Sequence, residues 1–505
     1  MSVKATVPVP TLEELRAAAS QLHYKLNDKE LAMYGEFMAG MVGDINLVDM
    51  LATPTLAVKY QRGELIRPSA AENRYNAWYW KCTIQGAAGG KLKGKRVAIK
   101  DNISVAGVPM MNGSAVYADF VPDQDATVVT RVLDAGGLIL GKAVCENYCL
   151  SGGSHTSATG PVRNPRNPEF MTGGSSSGCA ALLVAGEVDL AIGSDQGGSV
   201  RMPSSFSGCV GLKPSYGLVP YTGAAPIEQS VDHLGPMAMT TADCALLLEV
   251  IAGYDDGRDP RQTTILAPKN YRAELDKGIK GLRIGVVEEG FGGPGAEKDV
   301  DAMVREAAAR LTRAGAIVAN VSVPMHLQAG SIMMTSVLDG MLSTFTESGP
   351  NGPNPKGHSM VEAISYYYKA QRERADAMPV TVKTVLLCAR IMRNRYGSYY
   401  SAKAQNLVRE VRAAYDAVFA NHDLLLMPTT PMKAHRIPPP DATPAEILGV
   451  ALDMTGNTAP FDATGHPSMS VPAGMSDGLP VGLMLTGRYG EDDVVLRAGH
   501  AFEQL

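Results

Sequence analysis

The sequence predicts an α/β layered fold, and three observations carry that prediction. Apolar runs of strand length alternate with amphipathic stretches of helix length. The composition is globular, 45% hydrophobic and 19% charged with 53 glycines in 505 residues, so a large core and many tight turns are both available. One stretch, from Gly173 to Ser205, holds two small-residue turns on either side of the apolar segment 180–192, which reads as buried scaffold.

Taken in order, residues 1–85 differ from the rest. Thr11 with Glu14 three residues on forms a capping box, followed by Leu12, Leu15, Ala18, Ala19 and Leu22 at helical spacing. Further helices are expected over 28–41 and 49–60, making residues 1–85 a helical arm: a cap on the main body or an oligomerisation device. Residues 86–505 read as one domain. Arg96-Val97-Ala98-Ile99-Lys100 is a buried strand ending on lysine. Strands follow at 138–141, 189–193, 282–287, 317–323, 423–427, 468–471 and 481–486. Helices are expected at 128–135, 241–252, 298–314, 401–421 and 492–504, and a Gly/Pro/Asn loop at 348–357.

Charge and cysteine usage narrow the function classes. The net charge of −5, with no basic stripe or charged tail, gives no sign of a nucleic-acid partner. No apolar run approaches ~18 residues and no signal core opens the chain, so a soluble, unprocessed protein without a membrane partner is expected. The seven cysteines form no CxxC pair; they read mainly as small buried hydrophobes, which points to the cytoplasm, with a lone zinc site the minor alternative.

Three arrangements compete for the chemistry. Val97-Ala98-Ile99-Lys100 resembles a kinase lysine strand, but no HRD, DFG or APE motif accompanies it. Gly174–Gly178 spells G-x-S-x-G around Ser176, but a loop rich in Arg, Asn and Pro precedes it where a nucleophile elbow needs a strand. The third joins Lys100 with Ser175 in the first turn and Ser199 in the second. Serine needs a base, and a lysine in apolar surroundings can be one when neutral, although Asp101 adjoins it. The small residues around Ser199 leave the amides of Gln196, Gly197, Gly198 and Ser199 free to form an oxyanion nest, as acyl transfer requires.

The segments Val97–Asn102, Gly173-Gly174-Ser175-Ser176-Ser177-Gly178 and Gly193-Ser194-Asp195-Gln196-Gly197-Gly198-Ser199-Val200-Arg201 resemble the amidase signature family. Gly211-Leu212-Lys213-Pro214 and Gly465-His466-Pro467-Ser468 add to the likeness. With its helical arm and Asn457-Thr458-Ala459-Pro460-Phe461, the chain looks most like bacterial amidases of the nitrile-degradation type. The resemblance implies a large mixed sheet covered by helices and hydrolysis of a small-molecule amide through an acyl-enzyme, with no cofactor and no metal. Lys100 then matches the base, Ser175 the bridging serine after a cis peptide bond, and Ser199 the nucleophile. Ser176 and, more weakly, Leu150 match the substrate site. An anilide or carbamate hydrolase, or an amidotransferase subunit needing partner chains, are the alternatives; the arm is expected to make a homodimer. The turn reads GGSSSGC where the family often has GGSSGGS, which puts Ser177 in place of a glycine.

Other residues have plainer readings. Asp195 and Arg201 are expected to form a structural ion pair, and His466 to be structural. Met333 and Met334 read as core, while Tyr366–Tyr368 and Tyr399–Tyr400 fit pocket or core equally.

Overall fold

The computed structural model describes residues 6–262, 266–349 and 356–505. It divides into two compact units at Leu56/Ala57. The first is a helical hairpin. Helix α1 (Leu12–Gln21) carries the expected capping box, with the Thr11 side chain accepting from the Glu14 amide. Helix α2 (Asp28–Asp49) has its own box from Asn27 and Glu30 and runs past the expected end at residue 41, through Val42, Ile45 and Val48. Leu15, Ala19 and Leu31 pack the hairpin's small core. The helix expected over 49–60 does not form. Pro54 removes a backbone donor and disfavours helix at the residue before it, so the chain leaves α2 extended.

The second unit is built on one 12-stranded mixed sheet. Its first half comprises β1 (Leu65–Ile66), β2 (Trp78–Gln85), β3 (Arg96–Lys100), β4 (Leu138–Ala143), β5 (Leu190–Asp195) and β6 (Val210–Lys213). The second comprises β7 (His233–Ala238), β8 (Arg283–Val287), β9 (Ile317–Val321), β10 (Leu424–Pro428), β11 (Ser468–Ser476) and β12 (Leu479–Gly487). The order across the sheet is β1-β2-β4-β3-β5-β7-β6-β11-β12-β10-β8-β9. The expected arm boundary near residue 85 therefore falls too late, because β1 and β2 pair into this sheet. β3 runs parallel to β4 and β5, in register Val97↔Ile139 and Ile99↔Ile192.

The sheet's strands follow from the apolar runs, and those at its centre are buried on both faces, as near-continuous Val/Ile/Leu sequences require. Two large cores form on them. One joins Val97, Ile99, Leu190 and Ile192 to Leu247 and Leu248 of the helix Thr241–Ile251; the other joins Ala98 and Ala191 to Ala180–Leu183 and to Met333, Val337 and Met341. Residues 350–355 of the loop expected at 348–357 lie outside the described residues. Among the described residues no helix is long and apolar enough to cross a membrane.

Candidate active site

Parallel neighbours on both sides of β3 fix Lys100 at its carboxyl end, with Val97, Ala98 and Ile99 wholly buried before it. The next strand along, β5, ends at Asp195 and delivers Ser194 beside Lys100. Between them helix α3 (Ser177–Val184), buried along nearly its whole length, carries the first small-residue turn at its amino end. The Gly174–Ser175 peptide bond of that turn is cis. Gly174 fits there because a Cβ would collide with the Gly153 carbonyl and press on Glu146.

The Lys100 Nζ donates to Ser175 Oγ at 2.7 Å, to Ser194 Oγ at 2.8 Å and to the Ser194 carbonyl at 3.1 Å. Asp101 faces elsewhere: its carboxylate accepts from Lys142 at 3.0 Å and from the Met111 amide at 2.9 Å. Burial pushes the Asp101 carboxyl up in spite of that cation. Ser194 is the residue that sequence reasoning missed. Nothing in the sequence signals it, because only the parallel pairing of β5 with β3 brings it to Lys100.

Ser199 lies across the turn, nearly buried, on the wall of a cavity of about 370 Å³. Its carbonyl accepts from the Ser176 amide at 3.1 Å, which joins the two turns. Among the described residues no hydrogen bond joins Ser175 Oγ to Ser199 Oγ, so the structure brings Lys100 and Ser175 together but not the whole expected relay. The Ser175 hydroxyl is engaged by Lys100.

The expected oxyanion nest loses one member. The Gly198 amide donates to Asp195 Oδ1 at 2.6 Å and is spent there, while Val200 donates to Oδ2 at 2.9 Å. Gln196, Gly197 and Ser199 line the cavity, and their amides carry no hydrogen bond among the described residues. Gly198 has φ +134°, and a Cβ on it would strike Thr458. Ser176 also differs from expectation. It precedes α3, is wholly buried and bonds the Ser194 carbonyl at 3.2 Å, so it ties the scaffold instead of facing the cavity. Leu150 does line the cavity. Ser177 is accommodated by donating to the Val144 carbonyl at 3.4 Å.

Beneath the turn lies a buried charge network. Arg201 clasps Asp195 through Nε (3.0 Å) and Nη2 (2.9 Å), and reaches Asp462 at 2.6 Å. Burial works to raise Asp195, but the guanidinium and its other donors hold that carboxyl far below the usual range. Asp462 goes well up, from burial and from Asp195 beside it. Burial also brings Lys213 down to about 8 and drives His233 well below the ordinary imidazole value. The expected ion pair at Asp195 and Arg201 is thus the template of the Ser199 loop. His466 is buried and bonds Thr464 Oγ1 (2.8 Å) and Asp416 (3.0 Å).

The cavity wall is mostly apolar, and among the described residues no Asp, Glu, Lys, Arg or His lines it. Cys149, Leu150, Met202, Ile227, Val231 and Met341 line it. Met333 and Met334, expected only in the core, also face it, because the helix His326–Ser343 borders both. The tyrosines do not: Tyr367 stacks on Tyr117 in the core, and Tyr399 and Tyr400 are exposed. Among the described residues no group of three or more His, Cys, Asp or Glu side chains is placed to hold a metal ion.

Comparison with known proteins agrees with this architecture. The amidase family model matches residues 62–496. An enantioselective amidase of Rhodococcus rhodochrous is 46% identical over 440 residues, covering 86% of this chain and 84% of that one. A glutamyl-tRNA(Gln) amidotransferase subunit of Methanosarcina mazei is 37% identical, over 82% of this chain and 85% of its own. The crystal structure of a bacterial aryl acylamidase of the amidase signature family superposes with a TM-score of 0.70 at 27% identity, covering 82% of this chain and 83% of that one. The chain belongs to the amidase signature family and is an amide-hydrolysing enzyme.

Proposed function

We propose that the chain hydrolyses uncharged carboxamides with an apolar acyl group through Lys100, Ser175 and Ser199. The observation that carries this reading is Lys100 Nζ 2.7 Å from Ser175 Oγ, beside a mostly apolar cavity that Ser199 lines. Lys100 acts as the base and draws the Ser199 proton through Ser175, and Ser199 attacks the amide carbon. The amides of Gln196, Gly197 and Ser199 receive the oxyanion. Ser175 returns the proton to the nitrogen, ammonia or an amine leaves, and water cleaves the acyl-enzyme by the reverse path. Approach of substrate closes the Ser175–Ser199 contact, since catalytic hydrogen bonds commonly tighten only in the complex.

The amidotransferase-subunit reading has relatives in its favour. The cavity argues against it: free glutamine carries an ammonium and a carboxylate, and among the described residues no acidic or basic side chain lines the wall to pair with them. Anilides and carbamates remain within reach of the same three residues. The chain is read as cytoplasmic, in line with its unpaired cysteines. The arm is read as a dimerisation element, because Phe37, Met41, Ile45 and Val48 form a stripe along α2 outside the hairpin's core.

The test is turnover by the purified single chain. Aliphatic and aryl primary amides, an anilide, a carbamate and glutamine are compared, alongside Ser199→Ala. Release of ammonia from apolar amides that Ser199→Ala abolishes is the expected result. Turnover of glutamine alone, or none until partner chains are added, sinks the reading.

A further inference from the structure

One thiol lines the cavity and a second lies four residues before it in the chain, and the proposed hydrolysis uses neither. Cys149 lines the cavity. Its Sγ is 3.9 Å from the Ser194 hydroxyl, which also bonds Lys100. Cys145 lies four residues earlier, and the two sulfurs approach the same Asn112 Oδ1, Cys145 at 3.9 Å and Cys149 at 3.5 Å. A tight turn brings them round, with Tyr148 and Cys149 at φ 53° and 58°. Consecutive non-glycine residues hold that conformation only where the surroundings enforce it.

The environment of Cys149 is unlike that of the other buried thiols. Burial pushes Cys82 and Cys179 up to about 12 and Cys209 to about 11. At Cys149 burial acts in the same direction, but the neighbouring Cys145 thiol, the Lys100 amine and the Ser175 and Ser194 hydroxyls bring the thiol down instead. The thiolate is the form that reacts with oxidants.

We propose that Cys149 is a peroxide-sensitive modification site that switches the amide cavity off, with Cys145 as its resolving thiol. A hydroperoxide small enough to enter the cavity is the oxidant. The Cys149 sulfur attacks the terminal peroxide oxygen; the S–O bond forms, the O–O bond breaks, and the leaving alkoxide or hydroxide takes the proton. The Cys145 sulfur then attacks the sulfenic sulfur; the S–S bond forms, and hydroxide leaves with the Cys145 proton as water. Two thiols and one hydroperoxide give one disulfide, one alcohol or water, and one further water.

The consequence for the site follows from what the turn supports. The Glu146 amide, between the two cysteines, donates to the Ser175 carbonyl at 3.2 Å, and Gly174 packs against Glu146 and Ser151. A bond across the turn moves that support, and Ser175 with it, away from Lys100. A dithiol reductant reverses the change.

The experiment treats the full chain with sub-millimolar hydrogen peroxide, alkylates the remaining thiols and maps peptides without reduction. The peptide spanning Cys145 and Cys149 should lose two hydrogens. Amide turnover should fall at least about tenfold in step and return with dithiothreitol. In Cys145→Ser, dimedone should trap a sulfenic acid on Cys149, and continued peroxide should give a loss that dithiothreitol no longer reverses. Cys388→Ser, at an exposed thiol, should behave as the parent. The proposal fails if Cys149 stays reduced while activity is lost, or if Cys149→Ala loses activity to peroxide at the parent's rate. The peptide map needs no turnover, so a chain that cleaves no amide still decides the thiol question.

Discussion

Lys142 and Asp101 meet 3.0 Å apart with both side chains out of water. Their pairing decides what Lys100 sees, because the carboxylate next to it in sequence is turned to another cation. What remains around the Lys100 amine is two hydroxyls and a carbonyl. Lys142→Met strands a buried carboxyl and is expected to lower the unfolding free energy by about 3–5 kcal/mol. Adding Asp101→Asn should recover part of that loss. Urea unfolding of the two variants checks it, and a cost below about 1 kcal/mol for Lys142→Met means the pair does not support the fold.

Lys100→Ala, Ser175→Ala and Ser199→Ala should each reduce kcat/KM by about a thousandfold or more, since residues acting as one unit fail together. Ser176→Ala should stay within about tenfold, because that hydroxyl makes one structural bond, to the Ser194 carbonyl. Initial rates on the best amide decide this. Intact mass after acid quench should show an acyl adduct in the parent and none in Ser199→Ala, and hydroxylamine added during turnover should divert the product to the hydroxamate.

Much of this arrangement is legible in the residues. The apolar run before Lys100 and the glycines around Ser175 and Ser199 leave few alternatives to a strand and two tight turns, and all three appear. What the sequence conceals depends on contacts between distant segments. Asp195 lies three residues before Gly198, yet nothing in that spacing tells that its carboxylate consumes the Gly198 amide. Ser194 looks like strand filler until parallel pairing sets β5 beside β3. Met333 and Met334 sit on an apolar helix, and periodicity cannot separate a core face from a cavity wall. The arm boundary escapes a sequence reading because a two-residue edge strand such as β1 leaves no pattern to follow.

Tyr221 positions the Gln196 part of the nest. Its hydroxyl accepts from the Gln196 side-chain amide at 2.7 Å and lies 3.2 Å from the Ala225 carbonyl. Tyr221→Phe removes that anchor and leaves the ring in place. It should lower kcat by about 5- to 30-fold, the equivalent of about 1–2 kcal/mol, with KM nearly unchanged. A rise in KM at constant kcat would instead make Tyr221 a substrate contact.

The cavity should select by shape and by absence of charge. Met341→Ala and Val337→Ala enlarge its wall, and kcat/KM should shift toward bulkier acyl groups by about 10- to 200-fold relative to the smallest amide. An α-ammonium substituent should depress turnover in parent and variants alike, since among the described residues no carboxylate lines the wall to pair with it. Competition between paired amides in one vessel measures both ratios; equal ratios in parent and variants mean the acyl group lies elsewhere.

Asp232 gives the stability a pH dependence with a definite sign. Its carboxyl is buried, accepts from the Ile227 amide at 3.0 Å, and is pushed by burial from 3.8 to about 8. Between those values the folded chain keeps a proton that the unfolded chain releases. The unfolded state then binds fewer protons, so this group's contribution is full below about pH 4 and is lost as pH rises through 8. The slope is at most about 1.4 kcal/mol per pH unit for one group. Asp232→Asn keeps an acceptor for Ile227 and removes the titration. Urea unfolding of parent and variant at several values from pH 5 to 8 should show the variant gaining relative to the parent as pH rises. Parallel curves would mean that Asp232 is already ionised in the folded chain.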